Sequence, residues 1–547
     1  MRQREPAQES WRGRKLLAAL AVLAGFGSAL SFGVSPQDEA VRGQVRSGGQ
    51  PLAGAIVRVQ TGARAVFTEA DGTFVLPVAG ANKPHLYVTV AKEGYYNRRA
   101  PWKTGGKPLV FDLQPIPADN PAYAWRDPTP NPHLKDNCGN CHSSIYGEWN
   151  GDAHSRSAVN PLVLTLYNGT DVKGRPNKGA GYLVDWPDFG NCINCHGPIG
   201  AQNAKQDMNL LQGAEKTGVS CDFCHKVREV AVDPQTPGAS QFVVHRPAEG
   251  AKLIFGPFDD ATFPGEIPDF SYAPLFSSSR ICAPCHEGSS FGVPVYETYS
   301  EWSKSKYREL GINCQDCHMS STGQRVSFAD HEKGGLTRAA NRIGSHSMMG
   351  SDREKFIRRA VSLKLGAEVH GELVDVTVEV ANVGAGHDLP TGQPMRHLLL
   401  EISCRDAGGK ALQLLSGERL PSWSGDHAGE VGKAFGKILL AASEYRQVNL
   451  LVDARNRAAD FPAPFWRKAR ILSDNRIPAG GTDVSKYVFQ LPAGVAGARV
   501  EARLIYRRAY QAMAEIKGWD VPDMVLRTAE LTARPQQTAR VEAQAPK

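Results

Sequence analysis

Cys138-Gly-Asn-Cys141-His142, Cys192-Ile-Asn-Cys195-His196, Cys221-Asp-Phe-Cys224-His225, Cys282-Ala-Pro-Cys285-His286 and Cys314-Gln-Asp-Cys317-His318 are five copies of one motif. Each reads C-x-x-C-H, the attachment signature of c-type haem. Two cysteines three positions apart reach the two vinyl carbons on one edge of a porphyrin. The adjoining histidine then lies under the ring and gives the iron its proximal nitrogen. With 11 Cys and 15 His in 547 residues, a random chain of this composition would hold roughly 0.006 such motifs. Zinc knuckles are one alternative, but pairs of them normally share one metal. A disulfide framework is another, but a secreted chain this long needs no dense stapling. Neither places histidine after the second cysteine five times, so the expected cofactor is five covalently bound haem c.

The formal charge of +7 is mild and spread along the chain, so nothing suggests a nucleic-acid groove. Haem propionates would offset part of it. At the N-terminus, Arg12, Arg14 and Lys15 precede the apolar run Leu16 to Phe32, a charged region followed by a hydrophobic one. Residues 1–33 therefore read as a signal peptide, with cleavage after Gly33, or as an uncleaved anchor near the lower length limit for a span. Bacterial c-type haem is attached outside the cytoplasmic membrane. Export to the periplasm or cell exterior is expected, with membrane anchoring through the N-terminus as the alternative.

Residues 39–115 read as all-β. Ala55-Ile-Val-Arg-Val-Gln60 alternates apolar and polar side chains, Asp71-Gly72 is a hairpin signal, and Leu86-Tyr-Val-Thr-Val-Ala91 comes after it. The series Val41-x-Gly43, Pro51-Leu-Ala-Gly-Ala55, Thr68-Glu-Ala-Asp-Gly-Thr-Phe74 and Gly94-Tyr95 resembles the carboxypeptidase regulatory-like domain. That resemblance implies a transthyretin-type β-sandwich with no catalytic residues, a folded spacer or docking module. Residues 116–132 hold Pro117, Pro121, Pro128, Pro130 and Pro132. Such a stiff linker is expected to hold the sandwich away from the next region.

Residues 133–358 form the expected pentahaem region, mostly short helices and loops. At roughly 42 residues per haem the porphyrins must themselves fill the core. Motif starts at 138, 192, 221, 282 and 314 leave gaps of 54, 29, 61 and 32, an alternation that suggests stacked pairs. Tyr146-Gly-Glu148-Trp149 with His154 is echoed at the same offsets by Tyr299-Ser-Glu301-Trp302 with Tyr307. Both copies read as helices of a duplicated unit, with tyrosine in the second where the first has histidine. From 359 to 535 alternation returns, as in Val374, Val376, Val378 and Val380, and predicts a second β-sandwich followed by a frayed tail. Cys404 reads as a lone buried thiol.

Five spare histidines accompany the motif histidines: His133, His154, His245, His331 and His346. Bis-histidine ligation of every iron is arithmetically possible. His387, in Gly384-Ala-Gly-His-Asp-Leu-Pro-Thr-Gly392, is a further distal candidate from a rigid loop. Met348 and Met349 are the other axial options.

Cys221-Asp-Phe-Cys-His-Lys-Val227, Thr298-Tyr-x-Glu-Trp-x-x-Ser305, Gly311-Ile-Asn-Cys-Gln-Asp-Cys-His-Met319 and the Gly-His-x-x-Pro-Thr-Gly loop resemble one multihaem cytochrome c superfamily. It includes hydroxylamine oxidoreductase and its tetrahaem electron acceptor. The resemblance covers roughly residues 133–395 and implies stacked, mostly bis-histidine haems that relay electrons between redox partner proteins. The chain departs from the enzymatic members in having five motifs and no Cys-x-x-Cys-Lys site, so no residue is assigned a catalytic role. An oxidoreductase acting on a small nitrogen or sulfur species at one open haem is the second reading. Self-assembly through the β-regions is the third.

Overall fold

The computed structural model describes residues 40–78, 86–134, 137–187, 190–263, 269–441 and 462–543. The N-terminal leader or anchor lies outside them. No helix among the described residues is long and apolar enough to cross a membrane.

The N-terminal region consists of two four-stranded sheets that share one buried cluster. In the first, Ala40–Ser47 is flanked by Thr73–Pro77 and Gln50–Pro51 on antiparallel registers and by Leu109–Asp112 on a parallel one. The second runs Ala65–Phe67, Ile56–Val59, Leu86–Ala91 and Arg98–Trp102. Alternation turns Val41, Val45, Val57, Phe74, Val88 and Val90 inward from both sheets.

The linker does not hold this region away. Proline stiffness keeps the chain extended, and the residues between the prolines fasten it as a strap across the central region. Asp119 pairs with Arg246, the Tyr123 hydroxyl donates to Asp222, and Trp125 packs on Phe223. The first β-region itself docks through Arg58, Thr61 and Asn97, so of the two expectations, spacer or docking module, the contacts favour the second.

The central region is short helical turns, loops and two-stranded ribbons. Each motif forms one helical turn, which puts both thiols on one face. The side chains of Asn137 and Ser220 cap two of these turns, and Asn313 with Asp316 closes a capping box on another.

The C-terminal region has a five-stranded sheet, ordered Gln413–Ser416, Thr482–Gln490, Leu373–Asn382, Val361–His370 and Ala539–Glu542. A four-stranded sheet runs Gly432–Phe435, His397–Asp406, Ala498–Arg507 and Met524–Ala533. Leu363, Val376, Leu400, Cys404 and Leu504 lie in the cluster common to both sheets. The predicted frayed tail is corrected here, since Ala539–Glu542 pairs with Lys364–Ala367. Only Val541 of that edge strand reaches the core, too little apolar patterning to announce a strand.

Candidate haem site

All ten motif cysteines line one cavity of about 2450 Å³ at the centre of the molecule. Ordinary ligand pockets hold about 300–1,000 Å³, so this volume suits several large groups. Eight histidines line it: the motif residues His142, His196, His225, His286 and His318, together with His154, His346 and His387. No disulfide joins any of the ten motif cysteines. Burial pushes the Cys192 and Cys224 thiols up to about 12, away from the thiolate form that a zinc site needs. Among the described residues no three His, Cys, Asp or Glu side chains converge as a zinc site requires.

The thiols place the motifs relative to one another. Cys282 lies beside Cys314, and Cys285 beside Cys195. Cys221 lies beside Cys138. The fourth motif therefore meets the second and the fifth, and the third meets the first. Buried Ser279 ties the fourth to the fifth, donating to Asn313 Oδ1 at 3.0 Å and accepting from the Cys314 N–H at 3.0 Å. The short 29-residue gap pairs motifs two and three in sequence. In space the Cys192–His196 turn packs instead on Ala283–His286. A sequence gap measures the tether, not the neighbour.

The imidazoles are prepared as ligands. His142, His225 and His318 direct Nδ1 at the carbonyls of Phe328, Phe255 and Met349, at 3.0, 2.6 and 2.5 Å. A carbonyl only accepts, so Nδ1 carries the proton and Nε2 keeps its lone pair for a metal. His387 does the same toward the Asp388 carbonyl at 3.0 Å, and His154 toward Asp152 at 2.7 Å. His346 has a buried Nδ1 with no partner. Burial lowers His196 to about 4, His286 to about 3 and His346 to about 4. All three are thus neutral, the ligating form.

Two pairs face each other at a telling distance. The ring centres of His154 and His286 are 6.2 Å apart, and those of His318 and His387 are 6.3 Å apart. Imidazoles on opposite sides of one metal, with metal–nitrogen bonds of about 2.0 Å, set their ring centres roughly 6 Å apart. The residues fit haem c. Bound there, it would supply one-electron chemistry at iron.

Three predicted candidates lie outside the cavity lining. His133 is exposed in the approach to the first motif. His331 is exposed, with Nδ1 held by the Gly335 carbonyl. His245 is half-buried, with Nε2 3.4 Å from an Arg228 nitrogen. Wall residues that sequence reasoning missed come from the C-terminal region, including Arg396, Trp466, Arg508 and Trp519. The Trp186 indole donates to the Trp466 carbonyl at 3.1 Å, and the Trp466 indole to Asp185 at 2.8 Å. The tryptophans offered a weak aromatic signal, but backbone carbonyl acceptors such as Phe255 have no sequence signature at all.

The profile of the family "Cytochrome c554 and c-prime" matches residues 137–226, the stretch holding the first three motifs. The fold is similar to that of a penta-heme cytochrome c552 from Thermochromatium tepidum. The TM-score is 0.54 at 21% identity, covering 72% of this chain and 97% of that one. No curated protein matches the chain. Motifs, profile and fold agree on one class: the central region has the architecture of a multihaem c-type cytochrome.

Proposed function

We propose that the protein is an exported pentahaem c-type cytochrome that relays electrons through closely packed, mostly bis-histidine haems. The observation that carries this reading is the one cavity lined by the cysteines of all five motifs, with cysteines of different motifs adjacent. Porphyrins attached through these cysteines would supply one-electron carriers within one cavity, the arrangement a relay needs. We assign His154 opposite His286, His387 opposite His318, and His346, whose buried Nδ1 has no partner and which feels the charge of His225, opposite His225. Both β-regions read as sandwiches flanking the relay. Intact mass and a pyridine haemochrome assay on purified protein test the count. Five haems per chain is the expected result, and a colourless product of bare-polypeptide mass refutes it.

One observation favours a second reading. Five motif histidines among the eight of the cavity leave three imidazoles for five irons, so the irons over His142 and His196 lack a cavity-lining imidazole among the described residues. Tyr296 lies against Cys192 and Cys195, and Tyr182 packs beside Cys192. An open haem there would bind a small nitrogen or sulfur species. A ferric high-spin fraction that binds cyanide quickly supports this reading, and wholly low-spin spectra remove it.

A further inference from the structure

The first β-region is fastened to two places that hold motif histidines, and both attachments run through buried polar residues. Asn97, 5% exposed, is the first. Its N–H donates to the Phe270 carbonyl at 2.8 Å, and its Oδ1 accepts from the Tyr272 N–H at 3.1 Å. Its Nδ2 donates to the carbonyls of Phe258 and Ala261 at 3.2 and 3.0 Å. Beside it Tyr96 packs with Leu253, Phe255 and Ala273. The strand Phe270–Tyr272 thus held pairs in parallel with Ile254–Gly256. Phe255, in the middle of that partner strand, grips His225 twice. Its N–H donates to the His225 carbonyl at 2.9 Å, and its carbonyl takes the His225 Nδ1 proton at 2.6 Å.

Asp260 is the second attachment, fully buried. Its carboxylate accepts from the Thr61 N–H of the β-region at 2.7 Å and from Arg338 Nη1, 2.7 Å from each oxygen. The Arg338 guanidinium lies 4.5 Å over the Phe258 ring. Phe258 meets Phe328 edge-on at 5.0 Å, and the Phe328 carbonyl takes the His142 Nδ1 proton.

We propose that the N-terminal β-region is a positioning element for two haem ligands, His225 through Asn97 and His142 through Asp260 and Arg338. The inference rests on the reading that both histidines ligate iron. Partners that hold Nδ1–H orient the ring and raise the basicity of the ligating nitrogen, and their loss typically changes a metal site 10- to 100-fold. A more basic ligand favours the ferric state, so loosening the acceptor raises the reduction potential.

The test is a redox titration of full-length, haem-loaded protein followed by electron paramagnetic resonance. Asn97→Ala, Asn97→Asp and Asp260→Asn are compared with Glu530→Gln, which breaks an exposed ion pair to Arg499 on the far β-region. Asn97→Ala should raise one of the five one-electron components by about tenfold in its equilibrium, about 59 mV, and move one set of g-values. Asn97→Asp keeps the acceptor for Tyr272 and should shift the same component less. Asp260→Asn should move a different component, and Glu530→Gln none. Amide exchange at Phe255 should quicken in the Asn97 variants while Val361–His370 keeps its protection. Unchanged potentials with all haems retained overturn the inference, as does an equal drift of all five components. If Asn97→Ala does not accumulate, Asn97→Asp decides by the same criteria. Fewer than five haems in the parent protein would instead refute the ligation reading itself.

Discussion

The two copies of the Tyr-x-Glu-Trp helix, Ser143–Asn150 and Thr298–Ser303, do the same three things and differ in a fourth. Each pairs its aromatic rings, Tyr146 with Trp149 at 5.7 Å and Tyr299 with Trp302 at 5.6 Å. Each sends its indole N–H to the carbonyl two residues before a motif, Trp149 to Val219 and Trp302 to Ile312. Each glutamate holds a histidine loop while clamped by arginine. Glu148 takes the His346 N–H and Arg325, and Glu301 takes the Asp388 N–H, beside His387, and Arg476. The copies part eight residues after the tyrosine. His154 faces His286, whereas the Tyr307 ring packs under Gly386, where a Cβ would come within 3.2 Å. The second copy has tyrosine in place of histidine and supports the loop that carries His387. The two copies thus share their fastenings and differ in where a histidine enters the cavity.

Exchanging the differing residues should give the largest effect. His154→Tyr is expected to convert one haem from low to high spin, and Tyr307→His to add no low-spin haem, as read in ferric spectra. An unchanged low-spin count in His154→Tyr would take that histidine off the iron. The glutamates come next, and they should be unequal. Glu301 and Arg476 are each 5% exposed, against 16% and 18% for Glu148 and Arg325. Removing one partner of a buried pair costs about 3–5 kcal/mol, and Arg476 keeps Asp474, so Glu301→Ala should cost about 3 kcal/mol in denaturant unfolding. Glu148→Ala should cost less, about 1–2 kcal/mol. Equal losses would deny that burial sets the difference. Gly386→Ala presses a methyl on Tyr307 and should cost about 1–2 kcal/mol, shifting the haem bound at His318 and no other. The smallest effect belongs to the shared feature: Trp149→Phe and Trp302→Phe should each lose about 1 kcal/mol. A loss in only one copy would break the equivalence of the indole bonds.

Sequence made the repeat visible because its residues are close along the chain and set helical spacing. The partners of those residues were not visible. Arg325, Arg476 and the carbonyls of Val219 and Ile312 lie across loops of any length, and nothing in their local sequence marks them. The same limit explains the docking of the first β-region. Its strands were legible from alternation, but Asn97 and Thr61 look like ordinary turn residues until Asp260 and Phe258 are placed against them. Tyr307 is the sharpest case. Sequence recorded that a histidine was missing there, and only the packed loop shows what stands in its place.

Sequence alone marks where haem c would attach, because the thioether spacing and the adjoining histidine fall within five residues. It also determined the two β-regions, whose alternation has a period of two wherever one face is buried. Only the packed fold decides which motifs are neighbours, which further histidines enter the cavity and what walls it. Those choices depend on side chains meeting through space across a metal position, and a metal imposes direction on its ligands without imposing any separation along the chain.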